Sequence, residues 1–131
     1  SAGDNSGSIR TVGEASTVLS GIDNQTKGDM STVSGGWNGI ASGYASSVSG
    51  GDKNTASGNY ASISGGESNV ASGINSSISA GVGNTASGAW SAVNGGSSNT
   101  VTGDWATIGG GYNDTLSDAY DWQAGDLHEP E

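Results

Sequence analysis

The sequence predicts an all-β fold, a parallel β-solenoid (β-roll) of seven fifteen-residue coils. Three observations predict it: the chain repeats every fifteen residues, each repeat has glycine at two fixed positions, and each has one β-branched residue at a third. Turn residues between short extended segments at a fixed period are the signature of a solenoid with one coil per repeat. A composition of 31% hydrophobic residues with 25 glycines is otherwise typical of disordered segments, and the periodicity overrules that interpretation.

Seven rows come into register when the chain is written in fifteens from Thr11, and positions within a row are called columns one to fifteen. The idealised row is A-S-G-x-x-S-S-V-S-G-G-x-x-N-T. Column three is glycine in every row, from Gly13 to Gly103, and column eleven is glycine from Gly21 to Gly111. Two fixed glycines predict two turns per row, one at column three and one at columns ten to thirteen.

Column eight is always Val or Ile, and column one is Ala, Thr or Val. Because alternate residues of a strand share a face, Val48 is expected to point inward with Ser46. Ala41 is expected to share the interior with Asn54 and Gly43 for the same reason. Each coil then has two strands, near columns five to nine and fourteen to two.

Column fourteen is mostly asparagine, and these side chains are expected to form an internal ladder, each amide bonding the amide of the next coil. The members are Asn24, Asn54, Asn69, Asn84 and Asn99, and Gly39 and Asp114 interrupt them. Three segments follow from the register: an N-terminal segment at 1–10, the solenoid at 11–115, and an acidic docking or capping segment at 116–131.

The row pattern resembles the head repeats of trimeric autotransporter adhesins of the YadA type, over residues 11–115. The row A-S-G-Y-A-S-S-V-S-G-G from Ala41 to Gly51 carries the resemblance best. It implies a left-handed parallel β-roll, a bacterial surface location, a trimer, and attachment to host or matrix molecules. The family's usual row is one residue shorter, with an aliphatic residue and one glycine in place of Ser49-Gly50-Gly51. The family's heptad stalk and membrane anchor are not among these residues, so an excised head and a free-standing protein are both open.

Charge excludes several kinds of partner. The net charge is −10 with three basic residues, Arg10, Lys27 and Lys53, which argues against nucleic acid and anionic membrane surfaces. No apolar run approaches the roughly 20 residues of a membrane-spanning helix, so no membrane insertion is expected. The opening Ser1 without an initiator methionine is consistent with a secreted, processed protein, and an extracellular or cell-surface location is expected.

Columns four and five carry about one large apolar or aromatic residue per row, which predicts a contact stripe along one edge of the rod. The predicted interface residues are Met30, Tyr44, Tyr60, Ile74, Trp90 and Trp105, with Tyr120 and Trp122 in the C-terminal segment. The alternative is that each ring folds back over its own glycine turn. A sparser apolar set follows the opposite edge at Ile22, Trp37, Val82 and Tyr112.

Other candidate sites have simpler explanations. The outward Ser and Thr columns suggest ice binding, but Gln25, Ile40 and Val70 interrupt one of the two arrays, and a solvated sheet is the simpler interpretation. The late acidic residues, Asp114 to Glu131, offer oxygen ligands for Ca²⁺ without the glycine pattern of a calcium-binding repeat, so a solvated tail is favoured. His128 lies in a polar tail and has no catalytic partner in the pattern.

The sequence therefore predicts a non-enzymatic protein without a cofactor. The leading hypothesis is an extracellular structural subunit of a fibre or filament built from stacked solenoids, with an adhesive role. The alternatives are a trimeric adhesin head that binds a host or matrix ligand, and an ice-binding protein. The expected partners are copies of the chain, with a head-to-tail filament favoured over a lateral trimer because end coils expose unpaired backbone groups.

Overall fold

The computed structural model describes residues 9–125 and confirms a parallel β-solenoid. The described residues form short strands without any helix, in two parallel sheets of eight strands each. One sheet comprises β1 (Arg10–Thr11), β3 (Gln25–Thr26), β5 (Ile40–Ala41), β7 (Thr55–Ala56), β9 (Val70–Ala71), β11 (Thr85–Ala86), β13 (Thr100–Val101) and β15 (Thr115–Leu116). The other comprises β2 (Thr17–Val18), β4 (Thr32–Val33), β6 (Ser47–Val48), β8 (Ser62–Ile63), β10 (Ser77–Ile78), β12 (Ala92–Val93), β14 (Thr107–Ile108) and β16 (Trp122–Gln123).

Every strand pairs with the strand fifteen residues later, so Ala56 lies beside Ala71 and Ile63 beside Ile78. A third ladder of single bridges joins column twelve from Ile22 to Tyr112. The predicted period and parallel stacking are thus confirmed. The predicted number of coils is one too low, because β15 and β16 form an eighth coil from residues that were expected to be a docking or capping segment. At about 4.8 Å per coil the rod is roughly 38 Å long.

The interior consists of the predicted columns. Val48, Ser46, Ala41 and Asn54 are all at most 1% exposed, so each wall of the coil sends its alternate side chains inward. The apolar core runs along the rod from Val18 to Leu116, with a buried Val or Ile at column eight of coils one to seven and a buried Ala at column one of coils three to six. Since this core is one side chain wide, the backbone ladders between coils contribute much of the cohesion.

The asparagine ladder exists, but its bonds differ from those predicted. Each side-chain oxygen accepts a hydrogen bond from the backbone N–H of column fourteen in the next coil, as from Asn84 to Asn69 at 2.9 Å. Each side-chain nitrogen donates to turn carbonyls, as Asn69 Nδ2 does to Gly81 at 2.9 Å. An amide-to-amide bond is found within residues 9–125 only between Asn69 and Asn54, at 3.2 Å. The ladder therefore fixes the turns as well as the stacking.

Two glycine columns are required for different reasons. At column eleven the backbone is left-handed, with φ of +90° at Gly51, a conformation that side chains disfavour. At column three the glycine φ is ordinary, but a Cβ on Gly73 would lie less than 3.0 Å from the carbonyl group of Gly88 in the next coil. Column three is glycine because the next coil's backbone occupies the space of a side chain.

Candidate functional site

The structure places seven large apolar side chains of columns four and five along one edge of the rod, here called the aromatic edge. Its members are Met30, Tyr44, Tyr60, Ile74, Trp90, Trp105 and Tyr120. Their exposure ranges from 41% at Tyr44 to 76% at Tyr120, so the rings do not fold down over their own turns. All the predicted interface residues lie on this edge except Trp122, which lies in column seven on the outer face of a sheet.

Side chains on the aromatic edge contact each other along the rod axis. Trp105 and Tyr120 stack with ring centroids 5.2 Å apart and planes 4° apart. Tyr44 and Tyr60 meet edge to face at 5.5 Å, and the Tyr44 hydroxyl lies 3.1 Å from the sulfur of Met30. The edge is therefore a semi-continuous apolar strip spanning seven coils, and its rings are partly held in place by their neighbours.

The backbone under the aromatic edge is left-handed at column five, where φ lies between 51° and 63° in all eight coils. Glycine and asparagine occupy such turn positions at little cost, whereas a bulky residue costs about 1 kcal/mol or more. Column five nevertheless holds large side chains in five of its eight coils: Met30, Tyr60, Trp90, Trp105 and Tyr120. Asn75 at the same column shows that the turn forms with a favoured residue.

The opposite edge provides a matched comparison within the same molecule. Column thirteen is also left-handed in all seven coils that have it described, with φ between 54° and 66°. Its residues are mostly those that this backbone favours: Asp23, Asn38, Lys53, Ser68, Gly83, Ser98 and Asn113. The two edges share a backbone conformation and differ in residue type, so the large side chains of column five are not a consequence of the turn itself.

Polar side chains at column four support the aromatic edge, and sequence reasoning did not identify them. Asp29 Oδ1 accepts a hydrogen bond from the backbone N–H of Glu14 at 2.8 Å, and Asp104 does the same for Ala89 at 2.8 Å. Asn59 accepts from the N–H of Tyr44 at 3.0 Å. The recurrence of Asp and Asn at this column was a signal in the sequence, since these residues bond turn backbones.

A shallow cavity of about 300 Å³ lies at the N-terminal end of the aromatic edge. It is lined by Glu14, Ala15, Asp29, Met30 and Tyr44. Its lining therefore combines two acidic residues with a methionine and a tyrosine. Its volume is at the lower end for ligand pockets, which is suited to a single side chain or a small group.

The hydroxyl columns lie on the outer faces of the two sheets, and their Ser and Thr residues are half-buried except Thr17 and Thr115, which are exposed. Column seven has hydroxyls from Thr17 to Ser77 and then Ala92, Thr107 and Trp122. Column fifteen begins with Arg10, Gln25 and Ile40 and is interrupted again at Val70. Ice binding by these arrays stays a prediction.

Between residues 9 and 125 no group of three or more His, Cys, Asp or Glu side chains is arranged to hold a metal ion. His128 and three of the six late acidic residues, Asp126, Glu129 and Glu131, lie outside the described residues. Over the same part of the chain, no helix is long and apolar enough to cross a membrane.

Comparison with known proteins gives no family. No protein-family model matches the chain, and no curated protein matches it.

Proposed function

We propose that the chain is a non-enzymatic extracellular structural protein, a rigid subunit of a surface fibre that attaches along its aromatic edge and so has an adhesive role. The observation that carries this proposal is the placement of large side chains at column five, on a left-handed backbone that disfavours them. They are about half exposed or more, so burial within the fold does not explain them. A contact with another molecule explains these exposed side chains.

Rigidity supports the same role. Strand ladders, the column-twelve bridges and the buried asparagine ladder connect neighbouring coils at four places around the rod. Such a rod presents its edge residues at a fixed spacing of about 4.8 Å. The extracellular location is supported by the resemblance to YadA-type head repeats, which are surface structures.

Two kinds of joint are available to such a subunit, along the edge or at the ends. A strip of seven apolar side chains, each about half exposed or more, offers roughly 700 Å², close to the 800 Å² or so per partner in a stable interface. A lateral trimer or an adhesive contact would use this strip. A head-to-tail filament would instead use the end coils, and deletion of residues 116–131 tests that joint separately.

The aromatic edge is tested by replacing three of its large residues with asparagine, which column five already holds at Asn75. The variant Tyr60→Asn, Trp90→Asn, Trp105→Asn suits the left-handed backbone, so we expect it to fold. Sedimentation velocity and negative-stain microscopy at rising concentration should show assembly of the wild-type chain and a monomeric rod for the variant.

A matched control removes three apolar residues from the opposite edge: Trp37→Ser, Val82→Ser and Tyr112→Ser. Serine is native to that column at Ser97. The control should assemble as the wild type does. Assembly of the aromatic-edge variant at wild-type levels would contradict the proposal and favour the end joint.

A further inference from the structure

The aromatic edge is acidic as well as aromatic. Columns three to six of the eight coils include five carboxylates and no lysine or arginine. The carboxylates are Glu14, Asp29, Asp104, Asp118 and Asp121. The nearest cation along the chain is Lys27 at column two, and the whole chain carries a net charge of −10. A cationic partner would be attracted to this edge more strongly than a second acidic copy of the chain, whose contact would depend on the apolar strip.

The acidic groups are positioned at both ends of the apolar strip. At one end Glu14 and Asp29 line the 300 Å³ cavity together with Met30 and Tyr44. At the other end Asp104 precedes Trp105, whose ring is stacked on Tyr120. The hydrogen bonds from Glu14 and Ala89 hold the two aspartates at their turns. Carboxylates fixed beside aromatic and thioether groups favour guanidinium or ammonium side chains, which combine a charge with an apolar stem.

The opposite edge shows how this rod accommodates a cation. Lys53 Nζ lies 5.0 Å from the centroid of the Trp37 ring, a cation–π contact within the chain. That is the one such contact between a cation and a ring within residues 9–125. Within residues 9–125 no cation lies over a ring of the aromatic edge, although carboxylates accompany these rings.

We infer that the aromatic edge binds a cationic, extended polypeptide segment, with Lys or Arg side chains at the two acidic ends and apolar contacts between them. Asp29 and Asp104 lie five coils apart, about 24 Å, which corresponds to about seven extended residues of the partner. The inference rests on the proposed function, since it names the partner of the same edge.

The test uses a synthetic oligoarginine of about twelve residues, titrated into the full chain and followed by calorimetry and tryptophan fluorescence. The test variant is Asp29→Asn with Asp104→Asn, which removes two charges. It keeps the turn hydrogen bonds, because Asn59 makes the same bond to Tyr44 N–H in the native chain. The control is Asp52→Asn with Glu67→Gln on the opposite edge, which changes the net charge by the same amount.

We expect the edge variant to bind oligoarginine about tenfold more weakly and the control less than about twofold more weakly. Binding should also weaken as salt is raised from about 50 to 150 mM. Equal losses in the two variants would overturn the inference, because they would indicate general attraction to an acidic chain. So would absence of binding to the wild type at the lower salt concentration.

The assembly experiment separates this inference from the proposed function. If the Tyr60, Trp90 and Trp105 replacements abolish assembly but oligoarginine neither binds nor competes, the occupant is a second copy, and only the cationic partner is overturned. If those replacements leave assembly unchanged yet oligoarginine binds through Asp29 and Asp104, the self-associating role fails while the cationic site stands.

Discussion

The eighth coil differs from the seven before it at the positions that hold the stack together. Column three is glycine from Gly13 to Gly103 and becomes Asp118 in coil eight. A Cβ on Gly103 would lie less than 3.0 Å from the carbonyl group of Asp118, so coil seven cannot carry a side chain there. Asp118 is tolerated because no described residue stacks on coil eight. The glycines are thus a requirement of stacking, and the requirement ends with the last described coil.

At two interior columns, coil eight also has polar residues where coil seven has apolar ones. Ala106 and Ile108 of coil seven are fully buried, whereas their counterparts Asp121 and Gln123 are polar and not buried. Asp121 Oδ1 accepts a hydrogen bond from the N–H of Trp122 at 2.8 Å. In coil seven the equivalent residue is Thr107, and its N–H donates to the carbonyl of Asp121 in the next coil at 3.0 Å.

Coil eight therefore has the features of a polar cap. Another coil added in register would collide with Asp118 and bury a carboxylate and an amide. An end-to-end joint at this face needs a different register or residues beyond 125. The eighth coil thus favours the edge over this end as the place of association, and the head-to-tail joint stays a prediction with the deletion of residues 116–131 as its test.

The largest expected difference between the two regions is at column eight. Val48→Asp should destabilise the rod by roughly 3–5 kcal/mol and unfold most of it, because a buried carboxylate would have no partner. Gln123→Glu, at the same column of coil eight, should change stability by less than about 0.5 kcal/mol. Urea unfolding followed by circular dichroism measures both. Equal tolerance of the two changes would contradict the register.

Column three should give the next largest difference. Gly73→Ala places a methyl group against the backbone of coil six and should cost about 3 kcal/mol, since that backbone must shift. Asp118→Ala should be nearly neutral. Thermal unfolding of the pair is the direct comparison, and a neutral Gly73→Ala would mean that neighbouring coils are further apart than in this structure.

Column fourteen gives the smallest individual effects, and their sign changes along the rod. Asn69 Nδ2 donates to the carbonyls of Gly65 and Gly81, so Asn69→Asp loses two donors and should cost about 2–3 kcal/mol.

Asp114 occupies the same column in coil seven, is 7% exposed, and its Oδ2 has no hydrogen-bond partner among the described residues. Asp114→Asn should therefore stabilise the rod by about 1 kcal/mol. Denaturation midpoints of the two variants test this; destabilisation by Asp114→Asn would show that Oδ2 has a partner outside residues 9–125.

The sequence was sufficient for the period, the parallel stacking and the interior columns, because each depends on a residue type that recurs in one column. Val48 and Gly43 each belong to an unbroken series. The eighth coil was missed since Asp118 and Gln123 replace the two signals that marked a row, while Thr115 and Leu116 still continue the pattern.

The site was predicted in outline. The position of Tyr60 and Trp90 on one edge followed from the period alone, but the left-handed backbone beneath them did not, because bulky residues are not expected there. The hydrogen-bond partners of the asparagine side chains could not be predicted from the sequence either, since the Asn69 amide has both backbone and side-chain partners within reach.

Restoring the repeat in coil eight tests the capping role most directly. The variant Asp118→Gly, Asp121→Ser, Gln123→Val gives the last described coil the residues of its predecessors. Cryo-electron microscopy should show end-to-end rods for this variant and none joined through coil eight for the wild type. Wild-type filaments in which the 4.8 Å spacing continues in register across coil eight into the next subunit would contradict the account.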